Sequence, residues 1–170
     1  MKKILKRITG IAAVALAVTG FSSHAHAAEE IYIDKDARML HVVEGNDTIV
    51  SYGVCLGENL GQKKRAGDHK TPEGDFKVKS IENSSGWPHK GKDGKNKYGC
   101  YGPWFFRLDC PQSRHIGIHG TNQPESIGTR DSEGCIRLHN EELEELKPHI
   151  YIGMPVHISP DTLEEAPADQ

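Results

Sequence analysis

The chain has 170 residues, 36% hydrophobic and 26% charged, the balance of a globular protein with one domain or at most two. A mean hydropathy of −0.58 excludes a protein with several membrane spans, and 18 Gly with nine Pro mark a turn-rich chain without collagen-like or disordered bias. The formal charge of −3 argues against a nucleic-acid partner held by neutralised phosphates.

Residues 1–27 read as an export signal. Lys2, Lys3, Lys6 and Arg7 form a basic start, Ile8 to Phe21 are apolar or small, and Ala25-His26-Ala27 offers small residues for cleavage. The apolar run is roughly 14 residues, short of the ~20 that span a bilayer. No Cys follows it, which argues against a lipid anchor. Cleavage leaves 143 residues with 17 Lys and Arg against 24 Asp and Glu, a balance of −7. The expected mature protein is acidic, has no stable membrane span, and works in the periplasm or cell wall.

The mature sequence predicts a mainly β, single domain over 28–159. Ile31 to Ile33 and Met39 to Val43 are strands around a turn at Asp34-Lys35-Asp36. Gly45-Asn46-Asp47 turns into a β-branched strand, Thr48 to Leu56. Gly57 to His69 reads as a cationic surface loop, and Thr71-Pro72-Glu73-Gly74 as a turn. Asp75 to Ile81 alternates as a strand, and Asn83 to Gly99 reads as a long loop carrying Trp87. Further strands are expected at Trp104 to Leu108, His115 to His119 and Val156 to Ile158. One short helix, Glu141 to Lys147, follows Asn140 as its N-cap, with Pro148 at its end. Residues 160–170 read as a flexible tail.

Cys55, Cys100, Cys110 and Cys135 belong to a compartment where disulfides persist, and four Cys allow three pairings. A core of this size does not require bridges. Cys100 and Cys110 flank the Trp104 strand and are candidates for a local bridge.

The stretches His119-Gly120-Thr121-Asn122 and Ser132-Glu133-Gly134-Cys135-Ile136-Arg137-Leu138 carry the chemistry. A Cys in a turn presents its thiol beside backbone N–H groups, which favour a thiolate and receive an oxyanion. An imidazole at a strand end, followed by Gly, completes an activated Cys–His pair. A zinc reading of Cys110, His115, His119, Cys135 and His139 fails on spacing. On one strand His115 and His119 would stand about 13 Å apart at ~3.3 Å per residue, far beyond shared ligation. No metal and no cofactor is expected.

Together these motifs resemble the L,D-transpeptidase catalytic domain (YkuD-like) family. Further matches are the Ile31 to Val43 hairpin, Thr71-Pro72-Glu73-Gly74 with Phe76, and Gly102-Pro103-Trp104, so that the likeness covers nearly all of 29–159. The resemblance implies a β-sandwich or β-rich fold and action on peptidoglycan stem peptides through a Cys thioester. Cys135 is then the nucleophile, His119 the general base and acid, and the Gly120 carbonyl the group that orients His119. Gly134 and Ser132 are implied in oxyanion or substrate contacts, and Arg137 in holding a stem carboxylate. A carbapenem is implied as a covalent inhibitor. Transfer to a second stem, L,D-carboxypeptidase hydrolysis and a non-catalytic wall-binding module all remain open at this point.

One residue departs from the family pattern, Glu133, where His is usual. At roughly 6–8 Å and an effective dielectric near 20, a carboxylate facing the thiol would disfavour its ionisation by about 2–3 kcal/mol before screening. Glu133 is therefore expected to turn outward or to pair with Arg130 or Arg137.

Overall fold

The computed structural model describes residues 28–91 and 93–162; residues 1–27, read from the sequence as an export signal, lie outside them. The chain opens with a meander of β1 (Glu29–Asp34), β2 (Met39–Glu44) and β3 (Asp47–Gly53). β5 (Gly74–Asn83), β8 (Trp104–Leu108), β9 (Gly117–His119), β11 (Ile136–Arg137) and β12 (Pro155–Ile158) extend it into one eight-stranded mixed sheet. Its order is β11-β9-β8-β5-β12-β1-β2-β3. Two small pairs stand apart from it: β4 (Leu56–Gly57) with β10 (Arg130–Ser132), and β6 (His89–Lys90) with β7 (Asn96–Lys97). The helix α1 (Asn140–Leu146) runs between β11 and β12.

Alternation decides which face is buried. Ile31 and Ile33, Leu40 and Val42, Phe76 and Val78, Phe106 and Leu108, and Val156 and Ile158 occupy every second position and form one core. Leu143 and Leu146 of α1, one helical turn apart, enter the same core with Met154. The opposite face of β8, β9 and β11 is thereby left for polar and aromatic side chains.

The strand expected at Thr48 to Leu56 divides. β3 stops at Gly53, Val54 N–H bonds the Arg38 carbonyl, and Cys55 forms an antiparallel bridge with Arg137. Leu56 then joins β10 in parallel. The β-branched run has the same local preference throughout, but its partners change because the chain crosses from the meander to the sheet's far end. β10 and β11 span three and two residues, too short for a period to show. The loop 83–99 folds its middle into the β6–β7 hairpin. The strand predicted at His115 begins instead at Gly117.

Asn140 does not cap the helix. It is the first helical residue, after His139 in the cap position, and its Oδ1 accepts the Thr121 N–H at 2.9 Å. The helix start therefore holds the segment following His119. All four thiols are unbridged, so the local Cys100–Cys110 bridge is absent.

Of the stretch 160–170, read as a flexible tail, residues 160–162 are described, and they are fastened to the domain. Lys35 is fully buried, and its ammonium contacts Glu73 at 2.7 Å and Asp161 at 2.6 Å. Asp161 also takes the Gly61 N–H at 2.7 Å and pairs with Arg130, the first residue of β10. Thr162 bonds Asp36. Burial alone would raise the Asp161 carboxyl, but Lys35, Gly61 and Arg130 together hold it below the ordinary carboxylate range. Its contribution to stability is therefore complete above the unfolded carboxylate pKa and is lost as pH falls through the lowered folded value. Asp161→Ala leaves buried cations short of a partner and is expected to cost about 3 kcal/mol, read from the midpoint of urea unfolding near neutral pH.

Candidate active site

β9 and β11 run parallel, with Ile118 opposite Ile136 and His119 opposite Arg137. Alternation sends Ile118 and Ile136 into the core and turns His119 and Arg137 to the other face. Cys135, one residue before Ile136, shares that face and stands in line with Gly117. The two-residue ladder thus sets the imidazole at the end of β9 and the thiol at the entry of β11, on one face and two residues apart in register.

His119 is buried, and its Nδ1–H donates to the Gly120 carbonyl at 2.6 Å. That bond leaves Nε2 as the ring's acceptor. Phe105 stacks on the ring with centroids 5.3 Å apart, and Tyr101 meets it edge-on at 5.1 Å. Gly120 has no room for a side chain, since a Cβ would lie 2.1 Å from Asn140 Oδ1. A Cβ on Gly117 would press 2.3 Å from the Phe105 ring. The two glycines let the imidazole lie flat between its neighbours.

The Cys135 thiol donates to the His115 carbonyl at 3.1 Å, and the Gly117 N–H bonds its sulfur. Burial pushes this thiol up to about 11, against the opposing pull of Gly117, Arg137 and Lys63. Burial likewise brings His119 down to about 3, with the Arg137 and His89 charges adding to it and the Gly120 carbonyl opposing. The resting pair is a neutral thiol beside a neutral imidazole. The amide-stabilised thiolate expected from the turn is not its resting form.

The turn itself explains the difference. Ser132 is buried, and its Oγ accepts the Gly134 N–H at 3.0 Å while donating to the Cys135 carbonyl at 2.6 Å. Ser132 and Gly134 thus brace the turn from inside. Glu133 is exposed. Neither proposed cation holds it, because Arg130 is committed to Asp161 and Arg137 lies 3.9 Å from Asp131. Arg137 is half-buried beside the pair, and its Nη1 is buried without a hydrogen-bond partner among the described residues.

A cleft of about 250 Å³ lies next to the pair, lined by Trp87, Pro88, Tyr101, Phe105, Arg107 and His115. Arg107 sits over the Phe105 ring at 4.9 Å and is pinned by Glu82 through bonds of 2.7 and 3.0 Å. Trp87 is a wall of this cleft. Trp104 is not, for its Nε1 bonds Glu144 of α1 and Lys147 covers its ring at 4.3 Å. Sequence reading passed over Tyr101, Phe105 and Arg107. The alternation of Phe105 and Arg107 opposite the core residues Phe106 and Leu108 was the available signal.

A buried imidazole oriented by a carbonyl, with a thiol on the neighbouring strand of a β-rich frame, is the equipment of a cysteine acyl-transfer enzyme. Residues 28–158 match the YkuD family, described as the L,D-transpeptidase catalytic domain, and the chain belongs to that family. It is 31% identical to YkuD of Bacillus licheniformis over 130 residues, which are 76% of this chain and 65% of the relative. It is 32% identical to YqjB of Bacillus subtilis over 133 residues, 77% of this chain and 71% of that protein. The chain therefore spans a little under two thirds of YkuD's length. Among solved structures, L,D-transpeptidase 3 from Mycobacterium tuberculosis, in complex with a faropenem-derived adduct, superposes with a TM-score of 0.61 at 18% identity. That match covers 78% of this chain and 60% of the other. Bd1075 of Bdellovibrio bacteriovorus gives 0.56 at 26% identity, over 81% and 49%.

The neutral resting pair has a direct readout. Iodoacetamide alkylation of Cys135, followed by mass spectrometry of its peptide, is expected to accelerate from pH 8 towards a midpoint near 11. A rate already level below pH 7 would mean a resting thiolate–imidazolium pair.

Proposed function

We propose that the chain is an exported cysteine L,D-transpeptidase that acts on peptidoglycan tetrapeptide stems, with Cys135 as nucleophile and His119 as general base and acid. The observation that carries this reading is the Nδ1–H bond from His119 to the Gly120 carbonyl, which leaves Nε2 free to accept a proton on the face it shares with Cys135. Export is supported by the basic, apolar and small-residue order of positions 2–27.

The reaction begins with the thiol protonated and donating to the His115 carbonyl, and the imidazole neutral. As Sγ attacks the carbonyl carbon between the third stem residue and the terminal D-Ala, its proton passes to His119 Nε2. The carbon–sulfur bond forms and the carbonyl oxygen becomes an oxyanion. The Cys135 N–H, which Ser132 does not engage, is a backbone candidate donor to it. Collapse breaks the carbon–nitrogen bond, and His119 returns the proton to the departing D-Ala amine. The thioester is then opened by the side-chain amine of a second stem, whose proton passes through His119 back to sulfur.

Arg137, whose buried Nη1 makes no hydrogen bond among the described residues and stands 3.9 Å from Asp131 beside the pair, is the candidate to hold a carboxylate of the donor stem. The aromatic cleft at Trp87, Tyr101 and Phe105 supplies apolar walls that limit water around the thioester. A carbapenem presents a strained carbonyl to the same sulfur and is expected to leave one adduct, on Cys135.

Purified muropeptides followed by mass spectrometry test the reading. A cross-linked dimer is the expected product; a tripeptide alone would reassign the protein as a hydrolase, and no change would remove the activity. Cys135→Ala is expected to keep the circular dichroism spectrum of the parent and to lower turnover by more than about a thousandfold, as nucleophile removal does.

A further inference from the structure

Two lysines, Lys35 and Lys63, are almost wholly buried among the described residues. Lys35 ties the first turn to Glu73 and Asp161. Lys63 lies elsewhere, behind the turn that carries Cys135. Its Nζ pairs with Asp68 at 2.6 Å and donates to the Lys70 carbonyl at 3.3 Å. The Asp68 carboxylate also takes the N–H groups of Lys64, Arg65 and Lys70. Burial works against its charge, yet Lys63 and these three amides hold its pKa well below the usual carboxylate range. The anion is therefore permanent at working pH, and the Lys63 Nζ is held against it.

The loop that carries this pair is fastened to the nucleophile turn. β4 runs beside β10, and the Glu58 N–H bonds the Ser132 carbonyl at 3.0 Å. Gly134, at φ +120°, faces the pair so closely that a Cβ there would lie 2.5 Å from the Lys70 carbonyl and 3.2 Å from Lys63 Nζ. The ammonium touches the back of the turn whose next residue is Cys135. Buried ion pairs are poor stabilisers, since well-packed apolar groups often serve as well. One built against a nucleophile has a second use, because the turn has already committed the Gly134 N–H to Ser132.

We propose that Lys63 is a positioning residue of the nucleophile turn: its ammonium, fixed by Asp68 against Gly134, supplies buried positive charge that favours the anionic forms of Cys135 and of the tetrahedral intermediate. The other charges around Cys135 are Arg137, of the same sign, and the exposed Glu133, of the opposite sign. His119 and Tyr101 face it uncharged at rest, and Arg107 is matched by Glu82. Lys63 is the cation among these that no solvent reaches. Its field on Cys135 lowers the thiol's pKa against the effect of burial.

The inference rests on Cys135 as the nucleophile, and its test needs no stem substrate. In the full chain, Lys63→Gln keeps a donor for the Lys70 carbonyl and removes the charge, whereas Lys63→Met removes both. Iodoacetamide labelling is followed at the Cys135 and Cys100 peptides across pH 7–11. Both variants are expected to keep the parent's circular dichroism spectrum and to alkylate Cys135 about threefold more slowly at pH 8, or slower still, through a raised thiol pKa. Cys100 labelling is expected to stay constant. A Lys63→Gln protein that labels at the parent's rate would overturn the proposal, as would loss of the native spectrum in both variants, which would make the lysine structural. Slower labelling in a protein that turns over no stem peptide would uphold the positioning role and remove the substrate assignment instead.

Discussion

The parallel pairing of β9 with β11 is the constraint on which the site depends. Two register pairs, Ile118 with Ile136 and His119 with Arg137, decide at once what is buried and what is presented. A slip of one residue would send Cys135 into the core and Ile136 to the cleft. The core prevents that slip, because Ile118, Ile136 and Leu138 belong to one packed cluster with the meander and α1. Hydrophobic packing on one face is thus the reason the other face has a fixed chemical geometry. The Cys55–Arg137 bridge, with both its hydrogen bonds at 2.9 Å, fastens β11 from its other side.

Around this ladder the polar groups are spent on holding backbone. Ser132 closes the nucleophile turn, Asn140 secures the segment after His119, and the Gly120 carbonyl fixes the imidazole. Lys35 with Asp161 and Lys63 with Asp68 pin the surrounding loops. Few of these side chains face the cleft. The cleft is instead aromatic, with Phe105 and Tyr101 packed on His119. Such surroundings explain why thiol and imidazole both rest uncharged, since desolvation opposes either charge.

Much of the frame was legible in the residues. The meander, the strand from Gly74 and the Trp104 strand follow from alternation and turn chemistry, and the Cys135, His119 and Gly120 motif marks two stretches that the fold brings onto neighbouring strand ends. What was not legible has a common cause in long-range pairing. β4, β10 and β11 are two or three residues long, so their partners, not their own period, make them strands. Asn140 carries the composition of a helix cap, but a competing donor, the Thr121 N–H, claims its oxygen. Lys63 lies in a stretch that reads as a cationic surface loop, and its burial depends on Asp68 and on a turn some seventy residues later in the chain. Asp161 is likewise drawn out of a polar tail by Lys35 and Arg130.

The central claim is that the thiol on β11's entry turn becomes acylated by a stem peptide with the imidazole of β9 as its base. Incubation of the chain with a donor tetrapeptide and no acceptor, quenched in acid and weighed intact, tests this most directly. The account predicts a single adduct of the stem less its terminal D-Ala, located on the Cys135 peptide and absent when His119 is replaced by Ala. Release of D-Ala with no such adduct on Cys135, or with one on another residue, would contradict it.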